Sequence, residues 1–258
     1  MQYEFAFCTD KGKQRKNNQD SLLLKRAVWG GEEILLAVLC DGMGGLTKGE
    51  LASAAAVRAF SGWFVQDLPG LLGRTEGRQC LFDSWERLLT RLNGAIGEYG
   101  QRHGILLGTT VTGLLCLGGQ YYIVHVGDCR VYEIGEQIVQ LTKDQTLVQQ
   151  EVDQGRLTRE EAGKDAGSHV LLQCVGASPD VRPVFGSGRL KAGVLYLLCC
   201  DGFWHAVSPG ELLAAWDPER VKSRTDLKRQ LKGLVSLNRV RGEQDNISVL
   251  GVWGRERC

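Results

Sequence analysis

Short apolar segments recur along the chain, most of them bounded by glycine or aspartate. Runs of this length, rich in Val, Ile, Leu and Tyr, are typical of largely buried strands. The five clearest runs cover residues 33–40, 111–117, 121–126, 194–200 and 247–252. The longest uninterrupted ones, Ile34 to Cys40 and Val194 to Cys200, fall far short of the roughly 20 residues that span a bilayer. The pattern therefore predicts a scaffold of strands and no membrane span.

Two longer segments have the three- and four-residue apolar spacing of helices. Residues 49–66 have an alanine-rich core, and residues 79–99 carry a stripe made of Leu81, Trp85, Leu88, Leu89, Leu92 and Ile96. Shorter helix pairs are predicted at 144–164, where Thr158 and Glu161 have capping-box spacing, and at 208–236. Because helices interrupt groups of strands without regular alternation, we expect an α+β fold with antiparallel sheets.

Composition and charge narrow the class of protein. The 258 residues include 31 Lys and Arg against 30 Asp and Glu, and this balance argues against a nucleic-acid binder that neutralises phosphates. No linker-like stretch divides the chain, so we expect a single domain over residues 1–258, although about 150 residues per domain would also allow two. The 34 glycines indicate many tight turns.

The nine cysteines bear on the compartment. Their number is odd, they form no CxxC pair, and most lie inside apolar runs, so buried reduced thiols explain them better than disulfides or a zinc site. The first residues show no basic segment followed by an apolar one, and hence no secretory signal. We therefore expect a cytoplasmic protein.

Two distant strands end in the same tripeptide. Residues 34–45 and 194–204 each continue from an apolar run into Cys-Asp-Gly, which places Asp41 and Asp201 at strand ends. A single Asp-Gly pair most often marks a tight turn. Two carboxylates at the ends of buried strands are costly unless a cation or a donor compensates them, so a shared metal site is the competing interpretation.

Asp128 and Asp245 occur in the same setting, the first after a strand and the second before one. Four aspartates at strand ends make an all-oxygen site, which suits Mg²⁺ or Mn²⁺ better than zinc. The glycines that follow Asp41 leave the backbone open, so that a carbonyl there could also reach a metal. Phosphate chemistry is the natural use of such a cluster.

The polar segment 9–21 precedes a short apolar strand and contains Arg15. Composition alone is consistent with a solvated loop. The functional alternative is that Arg15 grips a phosphate through its planar fork of donors, which lysine cannot reproduce.

Taken together, these segments closely resemble the metal-dependent serine/threonine protein phosphatases, the PPM or type 2C family, and in particular its bacterial branch. The resemblance rests on seven motifs in family order over nearly the whole chain. They are TDKGKQRKNNQDS (9–21), DGMGG (41–45), GTT (108–110), HVGDCRVY (125–132), LTKDQTLVQQEVDQGRLTREEA (141–162), LLCCDGFW (197–204) and EQDNISVLGV (243–252).

The resemblance implies a fold and a set of site residues. The fold would be a four-layer αββα sandwich, with two central antiparallel sheets flanked by helices. Asp41 and the Gly42 carbonyl would serve a site for two Mn²⁺ or Mg²⁺ ions, completed by Asp201 and Asp245, while Asp128 would help hold a third ion. Arg15 would bind the substrate phosphate and Asp20 would lie behind the second metal. Residues 142–168 would form a mobile flap.

Four positions depart from the family pattern. Gln19 replaces a glutamate that contributes to the second metal site, which makes it a weaker candidate ligand. Met43 stands where animal relatives have a histidine proposed as general acid, and methionine is usual at this position in bacterial members. Gln145 and His205 replace residues that are often His or Asp.

The activity implied is hydrolysis of phosphoserine and phosphothreonine in proteins by a metal-activated water, without a covalent intermediate. The chain lacks the H-C-x5-R signature of cysteine-dependent phosphatases and the phosphate-binding glycine loops of kinases and P-loop enzymes. The rival hypothesis is a pseudophosphatase that binds phosphoproteins, disabled by Gln19. The family also implies a monomer that opposes a Ser/Thr kinase.

Overall fold

The computed structural model describes residues 1–43, 48–73, 77–162, 167, 170–217 and 221–255. Within these residues the chain forms two five-stranded sheets, and every strand pairing is antiparallel. The first sheet contains, in spatial order, β1 (Gln2–Asp10), β10 (Ile247–Arg255), β9 (Leu195–Cys199), β6 (Arg130–Ile134) and β7 (Ile138–Gln140). The second contains β2 (Ser21–Trp29), β3 (Glu32–Cys40), β4 (Val111–Leu117), β5 (Gln120–Val126) and β8 (Val184–Arg189).

Helices cover the outer face of each sheet. The helices α1 (Gly49–Gln66) and α2 (Gly77–His103) pack on the second sheet. The helices α6 (Pro209–Ala215) and α7 (Arg224–Val240) pack on the first sheet, and the short α5 (Asp201–Trp204) directly follows β9. Two further short helices, α3 (Leu147–Asp153) and α4 (Arg159–Ala162), lie between β7 and β8. The expected αββα sandwich is therefore confirmed.

The apolar run in β3 is explained by burial on both faces of its strand. Ile34, Leu36, Val38 and Cys40 face α1 and α2, whereas Leu35, Ala37 and Leu39 pack in the core between the sheets. Successive side chains of a strand point to opposite faces, so a strand covered on both sides needs apolar residues at every position. This is why β3 shows no alternation in its sequence.

The predicted elements differ from the observed ones mainly at edges and connections. Helix 49–66 has the observed bounds, and the predicted helical region 208–236 divides into α6 and α7. The predicted pair at 144–164 comprises α3 and α4, and residues 163 and 164 lie outside the described part. Thr158 and Glu161 form the expected capping box, with the Glu161 N–H donating to Thr158 Oγ1 at 3.2 Å. Strands β1, β6, β7 and β8 were not predicted.

None of the helices in the described ranges combines the length and the apolar character needed to cross a membrane.

Candidate active site

The strand register brings the ends of eight strands together at one edge of the sandwich. In the first sheet, Asp10 pairs with Ile247, and Cys199 pairs with both Val249 and Arg130. In the second sheet, Ser21 pairs with Cys40, Leu39 with Thr112, and Val111 with Val126. The loops that carry the candidate aspartates leave from these ends. Aspartates separated by up to 225 positions in the sequence therefore share one location.

A cleft of about 810 Å³ opens at this edge. Its lining includes Arg15 and four of the candidate aspartates, Asp41, Asp128, Asp201 and Asp245. Two positions that depart from the family pattern, Met43 and His205, also line it. The cleft thus combines most of the predicted site residues.

Asp41 directly follows β3, and its backbone is held by the two threonines that precede β4. The Thr110 N–H donates to the Asp41 carbonyl at 2.8 Å, and the Asp41 N–H donates to Thr110 Oγ1 at 2.9 Å. The hydroxyl of Thr109 donates to the same carbonyl at 2.9 Å. Burial raises the pKa of Asp41 well above its usual range, and the nearby carboxylates, Asp20 first among them, raise it further. The backbone is fixed while the side chain lies in a region of concentrated negative charge.

Asp20 lies next to Asp41, and its carboxylate oxygens are buried. One ligand atom each from Asp20, Asp41 and Cys200 lie within 4.8 Å of one another. Neither carboxylate oxygen of Asp20 forms a hydrogen bond of normal geometry with a described residue, although Ser248 and Cys200 are near enough to lower its pKa in part. Burial outweighs them and, with the carboxylates of Asp201 and Asp245, raises the pKa of Asp20 to about 7.

Asp128 and Asp201 complete the acidic cluster. Asp128 is buried, and burial followed by the carboxylate of Asp201 raises its pKa well above the usual range. Asp201 begins α5, where its Oδ1 accepts the N–H of Gly202 at 2.6 Å. The raised pKa values of Asp20, Asp41 and Asp128 show that their charged forms are unfavourable here without a cation. The orphaned oxygens of Asp20 and the all-carboxylate donors of the cleft fit Mg²⁺ or Mn²⁺.

Gly42 lies where the backbone of three segments meets. A Cβ atom added there would lie 2.5 Å from the Gly49 carbonyl oxygen and 2.6 Å from that of Gln19. The Gly42 N–H already donates to the Gln19 carbonyl at 3.1 Å. Only glycine allows this close approach, because a side chain at this position would meet the neighbouring backbone.

The side chain of Gln19 is engaged by a residue that the sequence reasoning missed. Its Nε2 donates to Glu50 Oε2 at 3.2 Å, in the first turn of α1. Its backbone carbonyl accepts the hydroxyl of Ser53 at 2.6 Å. Because the amide nitrogen is turned toward Glu50, the loop ahead of Asp20 is fixed to α1. The acidic first turn of α1 was the available sequence signal for Glu50.

Arg15 forms a two-point ion pair with Asp245. Its Nε donates to Oδ1 at 2.8 Å and its Nη2 to Oδ2 at 2.6 Å. These hydrogen bonds raise the pKa of the Arg15 guanidinium. The predicted phosphate-binding arginine and a predicted metal ligand therefore contact each other directly at the wall of the cleft.

Asn246 anchors the loop that carries Arg15, and its role was also missed. Its Oδ1 accepts the Gln19 N–H at 2.8 Å, and its Nδ2 donates to the carbonyls of Lys11 at 2.9 Å and Asn17 at 3.2 Å. The segment 11–19 is therefore no freely solvated loop. The adjacent Asp245 was the only signal for Asn246 in the sequence.

Arg130 connects the Asp128 turn with the start of the predicted flap. Its guanidinium donates to both Asp144 oxygens, with Nη2 to Oδ2 at 2.7 Å, and lies 3.3 Å from the ring centroid of Trp204. The Trp204 indole N–H donates to the Asp128 carbonyl at 3.2 Å. The next residue, Gln145, accepts the Gly127 N–H at 2.8 Å through its Oε1. Asp144 and Gln145 thus hold the Asp128 turn from both sides.

The cysteines and His125 have structural positions. Cys40, Cys129, Cys199 and Cys200 are fully buried, and burial raises the pKa of each thiol. None of the eight cysteines in the described ranges forms a disulfide. His125 is buried between Thr112 and the Lys143 carbonyl. These environments favour packing roles and no nucleophilic one.

Comparison with known proteins supports the motif-based resemblance. Residues 9–240 match the family model described as protein phosphatase 2C. The chain is 32% identical over 251 residues to the serine/threonine protein phosphatase PstP of Mycobacterium tuberculosis, covering 95% of this chain and 44% of PstP. It is 31% identical over 250 residues to the protein phosphatase PhpP of Streptococcus pneumoniae, covering 95% of each. The chain thus spans less than half the length of PstP.

Solved structures give the same result for the fold. A serine/threonine phosphatase of S. agalactiae superposes with a TM-score of 0.86 at 28% identity, covering 99% of this chain and 100% of that one. The catalytic domain of PstP in complex with two manganese ions superposes with a TM-score of 0.79 at 29% identity, covering 98% and 99%. From the family model, the sequence identity and the shared fold, we conclude that this chain belongs to the protein phosphatase 2C family.

Proposed function

We propose that this protein is a metal-dependent phosphatase that hydrolyses phosphoserine and phosphothreonine in proteins. The observation that carries the proposal is the convergence of Asp41, Asp128, Asp201 and Asp245 with Arg15 in one cleft. A cluster of carboxylates beside an arginine that can bind a phosphate is what metal-assisted hydrolysis of a phosphate ester needs. The names of the relatives, which are serine/threonine phosphatases, support the same reaction.

We assign the metal ligands by residue. Asp41, the Gly42 carbonyl, Asp201 and Asp245 would hold two Mn²⁺ or Mg²⁺ ions, and Asp128 would contribute to a third. Asp20 would lie behind the second ion, and Gln19 would offer at most a neutral oxygen. Bound divalent ions at such a site activate water near neutral pH and offset the charge on the phosphoryl group.

The chain's own residues would position the substrate. Arg15 would orient the phosphate with its planar fork. The flap predicted over residues 142–168, of which 163–166 and 168 lie outside the described part, would contact the neighbouring part of the substrate. Burial and raised pKa values argue against Cys40, Cys129, Cys199 and Cys200 as nucleophiles, and the proposed mechanism needs no covalent intermediate. We further propose one catalytic domain over residues 1–258, a monomeric and cytoplasmic protein, and a Ser/Thr kinase as its opposing enzyme.

The pseudophosphatase hypothesis has no observation in its favour. It rested on Gln19, whose amide is fixed to Glu50, whereas the aspartates and Arg15 are all present in or beside the cleft. A binding protein without turnover would have no need for this cluster of carboxylates.

Hydrolysis assays test the proposal. p-Nitrophenyl phosphate and a phosphothreonine peptide should be cleaved in the presence of Mn²⁺ and not after chelation. Asp41→Asn and Asp245→Asn variants with unchanged circular dichroism should lose activity. Turnover that survives chelation, or that persists in both variants, would refute the metal mechanism. Peptide binding without hydrolysis at high Mn²⁺ would favour the pseudophosphatase.

A further inference from the structure

The near-neutral total charge conceals a strong asymmetry. Residues 11–19 and 222–241 together carry eleven of the 31 Lys and Arg residues but only one of the 30 Asp and Glu residues. The rest of the chain accordingly has an excess of acidic residues. The first of these segments is the loop after β1, and the second contains α7.

The two basic segments lie side by side in the fold. Helix α7 packs along β1, where Arg224 lies over the ring of Phe5 and Lys228 and Lys232 are near Cys8. At the other end, Arg239 contacts Asp10 at 3.3 Å. Beyond it, the Gln14 N–H donates to the Gln244 carbonyl at 3.4 Å. The helix and the loop therefore form one continuous surface, which we call the basic ridge.

The cations of the ridge are exposed along one side of α7. Arg224, Lys228, Lys232 and Arg239 fall within an arc of about 80° around α7, at 3.6 residues per turn, and all four are exposed. Lys11, Lys13 and Lys16 of the loop are exposed as well. No acidic side chain in the described part of the chain forms an ion pair with Lys11, Lys13, Lys16, Lys228 or Lys232. The charge of these lysines is available to another molecule.

The ridge ends at the cleft. Gln14 and Arg15 from the loop line the cleft together with Arg241 and Gly242, which follow α7. Arg241 lies 13 positions beyond Lys228, about 20 Å along a helix, a distance that about six extended residues span. A peptide with its phosphate beside Arg15 could therefore cover the ridge with its flanking residues.

We propose that the basic ridge binds acidic residues of the substrate, located within about six positions of the phosphorylated residue. The proposal rests on the proposed phosphatase function and adds a preference among phosphoproteins. Complementary charge mainly accelerates encounter and selects partners, so the preference should appear in kcat/KM and weaken with salt. The occupant is a polypeptide and not a nucleic acid or a membrane, because the ridge leads directly into the aspartate cleft.

The test compares two phosphothreonine peptides that differ only in their flanks, which are Asp and Glu in one and Asn and Gln in the other. The ridge variant is Lys228→Glu with Lys232→Glu, and a second is Lys11→Glu with Lys13→Glu. The matched control, Arg87→Glu with Arg91→Glu, changes two exposed cations on α2, which covers the other sheet. p-Nitrophenyl phosphate reports on the cleft itself.

We expect wild-type kcat/KM to favour the acidic peptide by about tenfold at low salt, a preference that each ridge variant removes and the control keeps. Hydrolysis of p-nitrophenyl phosphate should be unchanged in all variants. The proposal would be overturned if the ridge variants lost kcat/KM equally for both peptides, or for neither. It would also be overturned if they lost only binding to RNA or to anionic vesicles. Fluorescence anisotropy with labelled peptides in the presence of a chelator measures binding without turnover. If the wild type were inactive, the phosphatase function would be refuted, but the anisotropy measurement would still test whether the ridge prefers the acidic peptide.

Discussion

The guanidinium of Arg15 and the carboxylate of Asp245 are joined by two parallel hydrogen bonds, at 2.8 and 2.6 Å, across 230 positions of sequence. Both side chains are about one-third exposed at the cleft wall. The same two oxygens of Asp245 would be needed by a divalent ion, and the same fork of Arg15 by a phosphate. The two residues assigned to different ligands are thus partners of each other, and binding of one ligand should affect the other.

Replacing Arg15 should have opposite effects on the two ligands. Arg15→Gln should lower kcat/KM for a phosphopeptide by about 10- to 100-fold, because a charged hydrogen-bond donor is lost. It should tighten Mn²⁺ binding by roughly two- to fivefold, since Asp245 no longer has a competing cation. Calorimetric titration with Mn²⁺ measures the second effect. Weaker Mn²⁺ binding would mean that Arg15 supports the metal site.

Two glycine substitutions should separate close packing from helix propensity. Gly42→Ala places a Cβ atom against the carbonyls of Gly49 and Gln19, and should cost about 1–3 kcal/mol of unfolding free energy together with most of the Mn²⁺ affinity. Gly62→Ala in α1 meets nothing within 4 Å and should stabilise the protein by up to about 1 kcal/mol. Urea unfolding compares the two. Normal stability in Gly42→Ala would show that the backbone there can move apart.

His125 should make the protein less stable in mild acid. Burial lowers its pKa to about 4 from an ordinary value of 6.5, because a charged ring is poorly solvated between Thr112 and Lys143. Between these two pH values the unfolded chain binds the proton and the folded chain does not, so stability falls as the pH falls. The stability difference between wild type and His125→Gln should therefore shift by about 2 kcal/mol against the wild type from pH 7 to pH 5. A difference that does not change with pH would contradict the buried neutral ring.

Trp204 should influence the metal site through Asp128. Trp204→Phe removes the indole N–H that donates to the Asp128 carbonyl at 3.2 Å, and should raise the Mn²⁺ concentration needed for half-maximal activity. Trp216→Phe is the matched control, since the Trp216 Nε1 is buried without a hydrogen-bond partner in the described residues. It should alter only stability. Equal Mn²⁺ requirements in the two variants would argue against a positioning role for Trp204.

The site residues that could be predicted from the sequence are those that lie in short, recognisable motifs. A carboxylate directly after a buried strand, as in Asp41 and Asp201, is informative because its cost must be compensated somewhere. The residues that support the site carried no such signal. Asn246, Glu50, Arg130 and Trp204 act through partners that are distant in sequence, such as Lys11 for Asn246 and Asp128 for Trp204.

The helices and strands also divide into those with a local sequence pattern and those that depend on a distant partner. Strand β3 and helix α1 were predicted because burial on both faces and an alanine-rich stripe leave clear patterns. Strand β1 is only partly buried, and it becomes a strand by pairing with β10 from the other end of the chain. No local pattern can report a partner almost 250 residues away.

The sequence by itself determined the family, the α+β class and the identity of the candidate ligands, because these depend on short motifs and on periodicity. Only the tertiary structure decided that Arg15 pairs with Asp245, that Gln19 binds Glu50, and that the lysines of residues 11–16 join those of α7 in one ridge. The physical reason is that electrostatic partnership depends on distance in space, which strand register sets and which sequence separation does not reveal.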